Sequence, residues 1–350
     1  MKILITGATG FIGRRLAKEL AESFGSDQVT ALVKADAGNE LERTGRAVLA
    51  ELGIKMIEID LLTRYGLENV PKSPDTVFHL ASCTDMGEPD HSINDVGTRN
   101  LLESIAPIKP GMHFVFASTI AIHDNRDDFD LPITESTPYP KYICNEYGRS
   151  KHRTLENLKR ESAAKQFYLT TVRVSGVYGE NTRPSGLYDM VGRLCDKRSF
   201  ITRINWPGRV SMIYVSDIAK LFVQVSRRSD KEKYFEVIPS VEALNLQDMS
   251  ALTYAAKNIP APSPISLPRF FWKTMTFISR YKAAFEAVLP HKLYNRVWQL
   301  FVLSNNEFWN ESLVLHEAMP NFKFVRFADF VERRYAPSAV SDVNRNVARG

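Results

Sequence analysis

The sequence predicts an α/β fold, a doubly wound parallel sheet followed by a smaller, mainly helical C-terminal region. Three observations carry this expectation. Short β-rich runs alternate with helical patterns through the first two-thirds of the chain, the signature of βαβ units. A glycine-rich turn, Thr6 to Gly13, stands directly between the first such run and the first helical pattern. Past about residue 180 the alternation breaks down, and Pro260, Pro262, Pro264 and Pro268 punctuate the approach to an aromatic-rich stretch.

The β-rich runs are Lys2–Ile5, Val29–Val33, Met56–Ile59, Thr76–Leu80, His113–Ala117 and Leu169–Val172. Between the first two, Gly13–Phe24 reads as a helix with Ile12, Leu16 and Leu20 along one face. Asn39–Leu52, Asp95–Ser104 and Glu146–Ser162 are the other clear helices. The division expected is a cofactor-binding part over 1–175, with later segments near 205–240 returning to it. Residues 176–204 and 241–335 then form a substrate-binding region, and 336–350 a flexible tail.

Composition narrows the function classes. The 350 residues are 44% hydrophobic and 24% charged, ordinary for a globular protein. The three cysteines, Cys83, Cys144 and Cys195, form no CxxC pair and no Cys/His cluster, so neither a disulfide framework nor a metal site is indicated. No run approaches the roughly 20 apolar residues of a membrane span. The first residues already read as a strand and turn, which leads us to expect a cytoplasmic location. A net charge of +5 is accounted for by one anionic cofactor or substrate, and nucleic acid is not needed to explain it.

In the turn, Gly7, Gly10 and Gly13 follow a strand and open into a helix. Backbone N–H groups and the positive helix end there can meet a pyrophosphate, with Thr9, Phe11 and Ile12 around it. The end of the second strand chooses between dinucleotides. An acid there would bind a ribose 2′-hydroxyl, and a cation a 2′-phosphate. Lys34 stands at that place, so NADP(H) is favoured over NAD(H), while Asp36, two residues on, keeps NAD(H) open.

Tyr147 and Lys151 are spaced i, i+4, on one helix face. A phenol of pKa about 10 exchanges protons poorly at neutral pH, and a neighbouring ammonium lowers it. Such a pair beside a nicotinamide can give a proton to a carbonyl oxygen receiving hydride, or take one from an alcohol losing it. A hydroxyl is needed upstream, and the fifth strand runs into Ser118-Thr119.

With these pieces placed, the sequence resembles the extended short-chain dehydrogenases/reductases over nearly its whole length. Thr6–Gly13 matches that family's glycine motif, and Asp60-Leu61 its Asp-Leu after the third strand. His79-Leu80-Ala81-Ser82 and Asn94–Asn100 match its next two motifs, Tyr147–Lys151 its Tyr-x-x-x-Lys, and Arg173–Gly179 its Arg-Pro-x-x-Val-Tyr-Gly with Val174 for Pro. Tyr214–Asp217 resembles a further motif before a late helix. The resemblance implies a Rossmann-type fold, catalysis by Thr119, Tyr147 and Lys151, and a cofactor also touched by Leu80, Ala81, Ser82, Val174 and Val177. Cys83, Ser118, Ser175 and Tyr178 are the candidate substrate contacts. A homodimer is expected from the same resemblance.

Departures from the motifs choose among subclasses. Dehydratases of this family place Asp-Glu after the catalytic Thr, where this chain has Ile120-Ala121. Sugar-nucleotide epimerases place Asn where this chain has Gly176. Leu267-Pro268 before an aromatic helix resembles the dihydroflavonol reductases and 3β-hydroxysteroid dehydrogenases. The second-strand region resembles the thioester reductases. The expected activity is therefore interconversion of a carbonyl and an alcohol on a fairly hydrophobic small molecule. A nucleotide-sugar epimerase, a thioester reductase and a non-enzymatic cofactor sensor are the alternatives. Residues 267–301 are expected to be core, a lid, or a contact with an anionic membrane surface.

Overall fold

The computed structural model describes residues 1–36, 38–85, 88–181, 187–228 and 232–336. Most of the expected tail therefore lies outside the described residues. In chain order the elements begin with β1 (Ile3–Thr6), α1 (Gly13–Phe24), β2 (Val29–Lys34), α2 (Glu40–Glu51), β3 (Lys55–Ile59) and β4 (Thr76–His79). They continue with α3 (Ser92–Ser104), β5 (His113–Thr119), α4 (Glu146–Lys165), β6 (Tyr168–Val174), β7 (Gly176–Tyr178) and α5 (Leu187–Asp196). Next come β8 (Arg209–Tyr214), α6 (Val215–Ser226), β9 (Tyr234–Val237), β10 (Glu242–Asn245) and α7 (Leu246–Ala256). The chain closes with α8 (Arg269–Ser279), α9 (Lys282–Val288), α10 (His291–Ser304), α11 (Leu315–Ala318) and α12 (Phe327–Tyr335).

Seven strands form one sheet in the order β3-β2-β1-β4-β5-β6-β9, every pair parallel. Alternation along β1 shows why the sheet is covered on both faces. Ile3 and Ile5 enter a core with Leu16, Leu20 and Phe222 of α1 and α6, while Leu4 enters another with Leu101, Leu155 and Leu158 of α3 and α4. After β3 the chain crosses back to β4 on the far side of β1. That reversal opens a crevice at the C-terminal ends of β1 and β4, where open α/β sheets hold ligands.

Local signals set the helix ends. Asn39 caps α2 by accepting from Glu42 N at 2.9 Å, and Asn145 caps α4 by accepting from Gly148 N at 2.5 Å. α1 stops at Gly25, whose φ of 90° a side chain would resist.

Beyond residue 180, where the sequence pattern breaks down, β8, α6 and β9 continue the alternation, and β9 joins the parallel sheet beside β6. β9 carries little local signal because it is the short, Glu-containing run Tyr-Phe-Glu-Val. Its Glu236 accepts from Arg173 Nε at 2.6 Å, so the charge is satisfied in a partner across the sheet. A second, three-stranded sheet, β10-β8-β7, packs with α5, α7 and α12 around Tyr178, Trp206, Tyr254 and Phe330. Helices α8 to α10 make up the helical C-terminal region.

Candidate active site

The crevice is a cavity of about 890 Å³, within the range of a small-molecule site. Gly7, Thr9, Gly10, Phe11, Ile12 and Gly13 line one wall. Gly7 has φ 68°, and a Cβ there would stand 2.7 Å from Ala81 N, so the turn and the close approach of β4 both exclude a side chain. A Cβ on Gly13 would meet Gly7 O at 1.9 Å, which is why the helix can start immediately under the turn. No side chain caps the N-terminus of α1, and its first residue, Gly13, lines the cavity together with the turn. A backbone cradle of this shape fits a pyrophosphate.

The two strand ends beneath the turn are bound through His79. Its Nδ1 accepts from Thr6 Oγ1 at 2.7 Å, and its Nε2 donates to Thr98 Oγ1 at 2.8 Å, since Thr98 itself donates to Asn94 O. Burial pushes this imidazole down to about 3, so it is neutral.

Lys34, Asp60 and Leu61 line the end of the cavity at the tips of β2 and β3. Asp60 accepts from Leu62 N at 2.7 Å and Thr63 N at 2.9 Å, bonds that hold its carboxyl below the usual range. Asn39 and Glu42 also face this end, and Thr9 Oγ1 donates to Glu42 at 2.5 Å. Arg46 is engaged elsewhere, with Glu58 at 2.8 Å and the Lys34 carbonyl, so Lys34 is the cation presented here.

At the other end stand Leu80, Ala81, Ser82, Cys83, Ser118, Tyr147, Lys151, Val174 and Val177. Thr119 ends β5 just behind this wall, close enough for its hydroxyl to act on the Tyr147 phenol. Its Oγ1 also accepts from Ala121 N at 3.2 Å. Ser118 Oγ is buried without a protein partner. Two candidate substrate contacts do not line the cavity. Ser175 donates to Pro239 O at 2.6 Å, and Tyr178 is fully buried, donating to Val325 O at 2.7 Å and to Glu242 at 3.2 Å. No residue of 267–301 lines it either.

The proton chemistry corrects one expectation. Lys151 does not lower the Tyr147 pKa in this structure. Burial pushes the phenol up to about 12, Cys83 adds to the rise, and only the Thr119 hydroxyl opposes it. The reason is where the ammonium points: Lys151 Nζ donates to Ala117 O at 2.8 Å and lies 4.8 Å from the Phe116 ring centre. Burial lowers its own pKa to about 7.

Several residues at the site were not singled out from the sequence. Asn94 accepts from Ser82 Oγ at 2.8 Å and Cys83 N at 2.9 Å, and donates to Ser150 Oγ at 2.8 Å. It thereby fastens the cavity loop to α4 between Tyr147 and Lys151. Its signal was present, since it opens the Asn94–Asn100 motif. Gly45 had no such signal: a Cβ there would meet Thr9 O at 2.4 Å, so its absence lets α2 press against the glycine turn.

A family profile described as "NAD dependent epimerase/dehydratase family" matches residues 3–238. The chain is 27% identical over 263 residues to a dTDP-D-glucose 4,6-dehydratase of Dictyostelium discoideum, covering 70% of this chain and 60% of that protein. It is 25% identical over 279 residues to tetraketide alpha-pyrone reductase 1 of Arabidopsis thaliana, covering 75% and 83%. A 28% match to a D-erythronate dehydrogenase of Haemophilus influenzae spans half of that protein. Among solved structures, gox2253 superposes with a TM-score of 0.73 at 21% identity over 95% of this chain and 96% of that one. The UDP-glucuronic acid 4-epimerase of Bacillus cereus, solved with UDP-glucuronic acid and NAD, gives 0.71 at 18% identity over 96% and 98%. Fold, glycine cradle and profile agree: the chain belongs to the NAD-dependent epimerase/dehydratase family, of the extended short-chain dehydrogenase/reductase type.

Proposed function

We propose that this enzyme interconverts a carbonyl and an alcohol on a fairly hydrophobic small molecule, using NADP(H) in preference to NAD(H). The observation that carries the reading is the meeting of Thr119, Tyr147 and Lys151 at the end of β5, beside the cavity that the glycine turn closes at its other end. A nicotinamide bound in this cavity would supply or accept the hydride. Tyr147 gives its phenolic proton to the carbonyl oxygen, or takes one from the alcohol, and Thr119 orients that oxygen. Lys151, tied at its Nζ to Ala117 O, would hold the ribose. Lys34 at the far end supports the choice of NADP(H), with Glu42 the carboxylate that opposes it.

Two features favour this over the chemistry of the dehydratase relatives and of the nucleotide-sugar enzymes. Ile120 and Ala121, which follow Thr119, are buried apolar residues that exchange no proton. Gly176 offers no side chain to a sugar nucleotide, and a Cβ there would already meet Ser211 O at 3.0 Å. The epimerase reading keeps one specific support, the likeness to a UDP-glucuronic acid 4-epimerase over nearly the whole chain. An epimerase regenerates its cofactor in each cycle, so purified protein that turns over a nucleotide sugar with no added dinucleotide would decide for it. We assign residues 1–175, with 205–240, to the cofactor and 176–204 with 241–335 to the substrate.

The test is a titration with NADPH and NADH, then a screen of hydrophobic ketones, aldehydes and acyl thioesters. Tyr147→Phe is expected to lose about a hundredfold or more of turnover with cofactor affinity within about twofold of wild type. Wild-type turnover in that variant would defeat the reading.

A further inference from the structure

Of the sixteen large apolar side chains exposed among the described residues, seven lie between 270 and 300. That density in a tenth of the chain marks a patch rather than scattered surface residues. On α8 the pattern is a stripe. Phe270, Lys273 and Phe277 follow at steps of three and four, and Tyr281 comes four residues later, its ring 5.6 Å from that of Phe277. Phe270 is 71% exposed, Phe277 58% and Tyr281 54%, on the face where polar side chains are expected.

The opposite face of α8 is anchored. Trp272 packs tilted against Trp206 with ring centres 5.4 Å apart, Thr276 donates to Asn305 at 2.6 Å, and Ser279 is buried. α10 repeats the arrangement, burying Tyr294 and Phe301 while exposing Leu293, Arg296 and Leu300. The stripe is therefore a fixed outer surface.

Its charge has one sign. Arg269, Lys273, Arg280, Lys292 and Arg296 are exposed and make no ion pair among the described residues. The one acid of the segment, Glu286, is turned inward to Arg149 at 2.9 Å, and Lys282 is buried against Asp124 and Glu307.

From these observations we propose that the outer face of α8, continued on α10, seats the enzyme on an anionic lipid bilayer. Aromatic side chains enter the boundary between headgroups and acyl chains, and the long Lys and Arg stems carry their charges up to the lipid phosphates. The charge argument selects this occupant. A second copy of the chain would set five unpaired cations against the same five, whereas an anionic surface complements all of them. Among the described residues no helix is long and apolar enough to cross a membrane, and the contact is one of surface seating.

The experiment is co-sedimentation of the full chain with vesicles of phosphatidylcholine alone and of phosphatidylcholine with phosphatidylserine, at low and high salt. Binding is expected to the phosphatidylserine vesicles at low salt and to fall by at least about tenfold at high salt. Lys273→Glu with Arg280→Glu, and separately Phe270→Ser with Phe277→Ser, are each expected to weaken binding by about tenfold or more. All four positions are exposed, and dinucleotide affinity checks that the variants stay folded. No binding at low salt, or binding that neither double variant changes, overturns the proposal. So does a dimer in sedimentation equilibrium that Phe270→Ser with Phe277→Ser dissociates, since the stripe would then belong to a self-interface. These readouts do not depend on turnover, so they stand or fall apart from the proposed reaction.

Discussion

Lys151 donates to the carbonyl of Ala117 at 2.8 Å, tying the inner face of α4 to the end of β5. Burial holds its amine near pH 7, far below the value of about 10.4 in an unfolded chain. The sign follows from proton counting: between those two values the unfolded chain binds a proton that the folded one does not. This group's stabilisation is full above the unfolded value and is lost as pH falls toward 7. Lys151→Met removes that slope. The variant is expected to melt at or above the wild-type temperature at pH 7 while losing about a hundredfold or more in turnover. A drop of several degrees at pH 7 would show that the amine stabilises the fold instead.

Gly45 governs how near α2 comes to the glycine turn. Gly45→Ala would set a Cβ 2.4 Å from Thr9 O and 2.5 Å from Thr9 Cα, with both neighbours main-chain atoms that cannot rotate away. The helix must move outward, carrying Asn39 and Glu42 from the cavity wall. We expect dinucleotide affinity to fall by about tenfold, equivalent to roughly 1.4 kcal/mol, in a calorimetric titration. Unchanged affinity would mean that the turn does not need α2 where it stands.

His79 and His123 are buried neutral, each pushed down to about 3, His79 by burial and His123 by burial and then Arg173. Arg173 Nη1 donates to His123 Nε2 at 2.5 Å, a bond that a protonated imidazole could not accept. Unfolded histidines bind protons below about 6.5. Stability from these two groups is thus complete above that pH and declines as pH falls from about 6.5 toward 3. Each costs about 1.4 kcal/mol per pH unit in that window. Urea unfolding at about pH 7, 6 and 5 measures this, and equal stability at all three would refute it.

Lys282 stands between two buried carboxylates, 3.0 Å from Asp124 and 2.5 Å from Glu307. Lys282→Met leaves both facing each other without a cation, and a loss of about 3–5 kcal/mol in unfolding free energy is expected. Glu307→Gln keeps one carboxylate with the ammonium, and its cost should be clearly smaller. Equal losses in the two variants would mean that packing, and not charge, holds α9 in place.

Much of this arrangement was readable from residue order. Strand and helix identities through β6 follow from apolar period, and the glycine turn, Tyr147 and Lys151 from spacing. What stayed hidden depends on contacts between distant segments. No local pattern announces that Gly45 touches Thr9, or that Tyr178, in a motif beside the site, faces a second core instead. β9 was obscured because its Glu236 becomes acceptable only against Arg173. The protonation of Tyr147 is hidden for the same reason, since spacing puts Lys151 on its face of α4 but says nothing of Ala117.

The late arrival of β9 has a consequence for how the chain is made. About 60 residues separate the end of β6 at Val174 from Tyr234. At ribosomal rates of about 5–20 residues per second, the outer hydrogen-bonding edge of β6 waits roughly 3 to 12 seconds for its neighbour. During that interval Arg173 lacks Glu236, and an open parallel edge is exposed to any other nascent strand. A newly made chain is thus most vulnerable to mispairing in mid-synthesis, and chaperone demand should peak there.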